Sequence, residues 1–176
     1  MALATFQGPV RSLNGFYTQG PGSVLNLADN TNTITLDIPT YAGRVIRTND
    51  ATLVITLPTL SAAADPVSSG PGSDPNTLNT QGVTFTFVVE TAATTWKIIT
   101  AASQYMLGEV FIQGDTNAVT AYSANGSSIR SINLNGTTKG GVTGSVVTLT
   151  ALNATQWLVS GALIGSGTIA TPFATS

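Results

Sequence analysis

Eight carboxylates hold the acid–base chemistry open to this chain: Asp29, Asp37, Asp50, Asp65, Asp74, Asp115, Glu90 and Glu109. Two of them converging within about 5 to 9.5 Å could cleave a glycosidic bond, one as acid and the other as base or nucleophile. Glu90 and Glu109, the only glutamates, are the pair such an enzyme would use. Five of the eight stand in turn or loop contexts, where Asp accepts hydrogen bonds from its own backbone, so solvated turn positions are the expected reading. Asp29-Asn30-Thr31-Asn32 offers oxygens that a calcium ion could take, but it lacks the ligand spacing and closing bidentate Glu of a calcium loop. Histidine and cysteine are both absent. Disulfides, thiolate nucleophiles and imidazole metal sites are therefore excluded, as are Ser-His-Asp and Cys-His catalysis. Neither GxSxG nor GxxxxGK[ST] occurs, and the expectation is a non-enzymatic chain with no cofactor and no metal.

Binding chemistry is equally sparse. Trp96 and Trp157 could stack on a sugar, but both sit in strand-type runs and are expected in the core. Tyr41 and Tyr122, beside turns, are the better candidates for exposed aromatics. The six basic residues, Arg11, Arg44, Arg47, Lys97, Arg130 and Lys139, are scattered and the net charge is -2. Counterion release on nucleic acid needs clustered Lys and Arg, so no direct nucleic-acid partner is expected. Charged residues are 8% of the chain against about 25% in an average soluble protein. Such weak self-repulsion suits a protein held in an assembly better than a free monomer. No window approaches the ~20 apolar residues of a membrane helix. Residues 1–16 lack the basic start and apolar run of an export signal, so synthesis in a cytoplasm without classical export is expected.

The elements that would position these groups are strands. In Gly82 to Thr100, Val83, Phe85, Phe87 and Val89 alternate with Thr84, Thr86 and Val88, the period of two that greases one face of a strand. Trp96 to Thr100 resumes strand composition after a small polar stretch. The segment reads as a hairpin bringing three aromatics to one core. Before it, residues 33–38, 45–48 and 52–57 read as a meander of antiparallel neighbours, the first ended by Pro39. After it come 106–113, 118–122, 128–134, 145–151 and 156–162, with Asn125-Gly126 and Asn135-Gly136 as strong turn signals. About ten short, mainly antiparallel strands predict an all-β domain, a β-sandwich or jelly roll or a barrel-like form. No exact internal repeat is visible.

Around this domain, expected at 23–164, lie three other segments. Residues 1–22 are broken by Gly and Pro and read as an extended N-terminal arm whose sticky points are Phe6, Leu13, Phe16 and Tyr17. It either packs on its own domain or docks on a neighbouring subunit. Residues 61–80, rich in Pro, Gly and Ser, read as a long exposed loop. Residues 165–176 taper into a small-residue tail.

Three stretches carry a resemblance: ITLPTL at 55–60, GVTFTFVV at 82–89 and GSVVTLTALNATQWLVSGAL at 144–163. Together they resemble small β-rich virion proteins of tailed bacteriophages, head decoration (cement) proteins above all, over Leu53 to Leu163. Phage fibre and baseplate modules share part of the pattern. What the resemblance implies is a β-sandwich or barrel-like domain without enzymatic activity, commonly trimeric, on the outer surface of the virion capsid. There it would bridge major capsid protein subunits, often through a terminal arm. Capsid or subunit contacts would then fall to Phe6, Arg11, Leu13, Phe16 and Tyr17 of the arm, and to Arg44 and Arg47 near a strand edge. The alternative is a receptor- or carbohydrate-binding module of a tail fibre or baseplate, using Tyr41, Tyr122 or the 61–80 loop.

Overall fold

Alternating side chains decide which way each strand faces, and the computed structural model, which describes residues 24–27, 33–61 and 80–176, shows this most plainly in β5 (Thr84–Val89). Phe85, Phe87 and Val89 are buried there, while Thr84, Thr86 and Val88 look outward. The same alternation governs β3 (Val45–Thr48), β6 (Trp96–Ile99), β10 (Val146–Ala151) and β11 (Gln156–Ile164). Two sheets result, packed over one core, and the described residues are all-β apart from a four-residue helical turn.

The first six strands wind from sheet to sheet. β1 (Val24–Leu27), β3 and β5 lie parallel in the larger sheet; β2 (Thr33–Thr35), β4 (Val54–Thr56) and β6 lie parallel in the smaller one. Val24 stands beside Val45 and Thr33 beside Val54, in both cases 21 positions on. In the next coil Val45 stands beside Thr86 and Val54 beside Lys97, 41 and 43 positions on. The surplus is the excursion between Ser61 and Thr80. Its ends are tied together: the Ser61 amide donates to Thr80 Oγ1 at 2.9 Å and the Thr80 hydroxyl donates back to the Ser61 carbonyl at 3.2 Å. The interior of the expected 61–80 loop, and the expected arm at 1–22, lie outside the described residues.

The remaining strands are hairpins and returns. β7 (Tyr105–Gln113) and β8 (Val119–Asn125) pair antiparallel, β9 (Ser131–Leu134) crosses to the smaller sheet beside β6, and β10 and β11 form a hairpin between β5 and β7. β12 (Phe173–Ala174) closes the smaller sheet beside β9. The orders are β1-β3-β5-β10-β11-β7-β8 and β12-β9-β6-β4-β2. Five of the ten pairings are parallel, a larger share than the hairpin-dominated expectation.

Four local expectations are corrected. Residues 33–35, 45–48 and 54–56 are not an antiparallel meander, because successive strands occupy opposite sheets. Nor do β5 and β6 form a hairpin. Residues 90–95 arch between sheets and stack on the preceding arch, Glu90 N–H donating to the Thr48 carbonyl at 2.9 Å and Thr94 N–H to that of Ala51 at 2.7 Å. The arch lets Phe87 and Trp96 meet across the core, ring centroids 6.0 Å apart and edge to face, where a hairpin would set them side by side. Pro39 does not end a strand but sits in the helical turn Ile38–Tyr41, which Asp37 caps by accepting from Thr40 N–H at 2.9 Å. The expected tail is also built into the fold, since Phe173 is buried and pairs with Ile132.

Trp157 anchors the core from the larger sheet, its ring 5.8 Å from Phe85, and Trp96 anchors it from the smaller one. Both expectations for the tryptophans hold.

Candidate functional site

With both inner faces consumed by the core, any partner must meet an outer face, an edge or a loop. On the larger sheet the pairing register orders the outward side chains into rows that run across the strands. One row is Val88, Val146, Ala162, Phe111 and Ala121. The next is Thr86, Thr148, Ser160, Glu109 and Ser123, and beyond it come Thr84, Thr150, Leu158, Leu107 and Asn125. A shorter row, Ile164, Gln113 and Val119, lies on the other side of Phe111. Four rows and five strands cover roughly 20 Å by 20 Å at standard spacings.

This face differs from an ordinary solvated one. Among the described residues five large apolar side chains are exposed, and Phe111, Val119, Leu158 and Ile164, four of the five, stand on it. Its hydroxyls bond sideways: Thr84 and Thr150 meet at 3.0 Å, Thr86 and Thr148 at 3.4 Å, and Ser123 donates to Glu109 at 3.1 Å. Glu109 is the single charged side chain that β5, β10, β11, β7 and β8 place there. A surface with one charged side chain and with most of its hydroxyls bonded to neighbours has a low desolvation cost on docking.

Glu90 and Glu109 do not form a pair. Glu90 follows the end of β5 and Glu109 lies on β7, with β10 and β11 between them. Three strand spacings alone put them at least about 14 Å apart, beyond the separation that two glycosidase carboxylates use. Glu90 instead pairs with Arg47, both side chains about half exposed, at the β3 margin of this outer face. Asp50 caps Thr52 N–H at 2.9 Å and Asp115 accepts from Gly167 N–H at 2.8 Å, structural tasks of the kind expected of turn residues.

Of the predicted contact residues, Phe6, Arg11, Leu13, Phe16 and Tyr17 lie outside the described residues. Arg44 is half-buried before β3 and its carbonyl accepts from Thr86 N–H at 3.4 Å. Tyr41 and Tyr122 are not free platforms. Both pack against the core, and the Tyr122 hydroxyl donates to the Ile169 carbonyl at 3.0 Å. Sequence reading missed Phe111, Leu158 and Ile164 as surface residues, because within a strand only register shows which neighbours an outward side chain has.

The outer face of the smaller sheet carries a hollow of about 340 Å³. Val54, Lys97 and Asn133 line it in register across β4, β6 and β9, and Asn135 and Lys139 close one side. No family model, curated protein or solved structure matches this chain.

Proposed function

We propose that this chain is a non-enzymatic structural protein that decorates the outer surface of a phage capsid and braces it by bridging major capsid protein subunits. The observation that carries the docking part is the outer face of the larger sheet, with four exposed large apolar side chains and one charged side chain on the five strands from β5 to β8. The capsid as the surface docked upon comes from the resemblance over Leu53 to Leu163. Such a face gives modest contacts per copy, and many copies on a repeating shell raise occupancy by avidity. Low overall charge fits the same role, since close-packed neighbours then repel little.

Co-sedimentation of the purified protein with expanded, empty phage shells tests the reading. Saturable binding that Phe111→Lys abolishes is the expected result, and a protein that stays in the supernatant at all concentrations overturns it. The hollow on the smaller sheet favours a second reading, a glycan- or receptor-binding module of a fibre, since amides and ammonium groups from Asn133, Asn135, Lys97 and Lys139 converge there. Binding to isolated host surface glycan, lost in Lys97→Ala, would select that reading instead.

A further inference from the structure

β8 is the last strand of the larger sheet, and among the described residues no strand pairs with its outer edge. Which of its backbone groups face that edge follows from the hydrogen bonds at its two ends. Gly114 N–H donates to the Ala118 carbonyl at 3.0 Å and Gly126 N–H to that of Met106 at 2.8 Å. Antiparallel pairs alternate between bonded and non-bonded partners, so in this register the even-numbered residues of β8 bond to β7. Val119, Ala121, Ser123 and Asn125 therefore point their N–H and C=O groups away from the sheet. All four are exposed.

Proteins blunt such edges with lysine, proline, a bulge or very short length. β8 has none of these protections: it runs seven residues, VTAYSAN, without a charge or proline, and its pairing with β7 is unbroken. Its open groups are also self-complementary. An antiparallel copy centred on Tyr122 sets Val119 against Asn125 and Ala121 against Ser123, and the two-fold axis repeats both pairs. Every open N–H then meets a C=O, with no group left over. Ala121 and Ser123 beside the axis are small, and no charge opposes its own copy. Another strand could satisfy the same backbone, but only an identical one satisfies it symmetrically with no sequence beyond this chain.

We infer that two copies of this chain associate through β8 edge to edge, about a two-fold axis at Tyr122, joining their larger sheets into one continuous sheet. The inference does not rest on the capsid reading. It also differs from the three-fold assembly that the phage resemblance implies, so mass in solution separates them.

Light scattering on the purified chain should give twice 17.9 kDa. Ala121→Pro removes one edge-facing N–H and no bond to β7, and should return the mass to one chain with an unchanged far-UV spectrum. Cysteine pairing reads the register without depending on that variant. The chain has no cysteine, and bonded antiparallel partners lie about 5.5 Å apart at Cα, within disulfide reach. Mixed and oxidised, Ala121→Cys and Ser123→Cys chains should form a disulfide joining one of each, while neither variant alone should cross-link. A monomer throughout the accessible concentration range, a trimer, a dimer indifferent to Ala121→Pro, or the absence of the mixed disulfide would each overturn the proposal.

Discussion

The two sheets are alike on the inside and unlike on the outside. Each supplies a buried tryptophan and a row of β-branched or aromatic residues to one core. Outward, the larger sheet shows hydroxyl ladders and four exposed large apolar side chains, with Glu109 among them and the Arg47–Glu90 pair at the β3 margin, whereas the smaller, among the described residues, shows none of that apolar surface and carries Lys97 and Asn133. The core requires inward residues to be apolar, but nothing in the fold requires one sheet alone to turn four large apolar side chains outward. That asymmetry is therefore the part of the sequence best explained by contact with something outside the domain.

The comparison breaks most completely at Gly108, in the middle of β7. Its φ of 127° is a conformation that side chains rarely adopt, and an added Cβ would stand 2.2 Å from the Val159 carbonyl oxygen. That oxygen belongs to the neighbouring backbone and cannot swing aside. Gly108→Ala should cost more than about 4 kcal/mol, seen as loss of a cooperative melt, and would remove the larger sheet's outer face with it.

Next in size are the two tryptophans. Trp157→Ala and Trp96→Ala should each destabilise by about 3 to 5 kcal/mol in urea titrations, and similar values would show that the inner faces carry comparable weight. Neither buried indole N–H has a hydrogen-bond partner. Phe at either position should therefore cost well under half as much as Ala, because no bond is given up with the nitrogen.

Outer-face changes should leave stability within about 0.5 kcal/mol and separate the sheets by function. Phe111→Lys and Leu158→Lys place charges in the apolar rows and should weaken shell binding at least about tenfold, a change near 1.4 kcal/mol. Lys97→Glu and Lys139→Glu, on the other sheet, should leave it unchanged. Equal losses from both sets would show that the asymmetry has no bearing on docking.

How much of this could be read beforehand depended on how far apart the pairing partners lie in sequence. The β10–β11 hairpin was legible because its turn, Leu152 to Thr155, announces itself locally, Asn153 Oδ1 accepting from Thr155 N–H at 2.9 Å. The core tryptophans were legible because alternation around them is strict. The coiled first half was not. Its partners stand 21 positions apart, then 41 or 43 once the 61–80 excursion intervenes, and Val24, Val45 and Thr86 share no signature that marks them as neighbours. A two-residue strand such as β12 is too short to show any period, so Phe173 passed as tail. The outer face of the larger sheet was visible only as a surplus of Thr, Ser and Val. Its rows exist in the register, which the turn chemistry of a parallel coil does not encode.

The smallest expected effect concerns Arg47 and Glu90, the ion pair that ends the Val88–Val146 row on the β3 margin of the larger sheet's outer face. Both side chains are about half exposed, 45% and 40%, so solvent screens the attraction and holding two long side chains offsets part of it. Arg47→Ala should therefore change stability by less than about 1 kcal/mol, and raising salt should narrow that difference further. Its value lies in binding. The pair presents no net charge to an approaching partner, whereas Arg47→Ala leaves Glu90 as an uncompensated carboxylate beside an apolar row. If a partner covers that margin, Arg47→Ala should weaken docking while the double variant Arg47→Ala/Glu90→Ala restores most of it. If both variants dock as well as the parent chain, the contact stops short of β3 and the face narrows to the strands from β5 to β8.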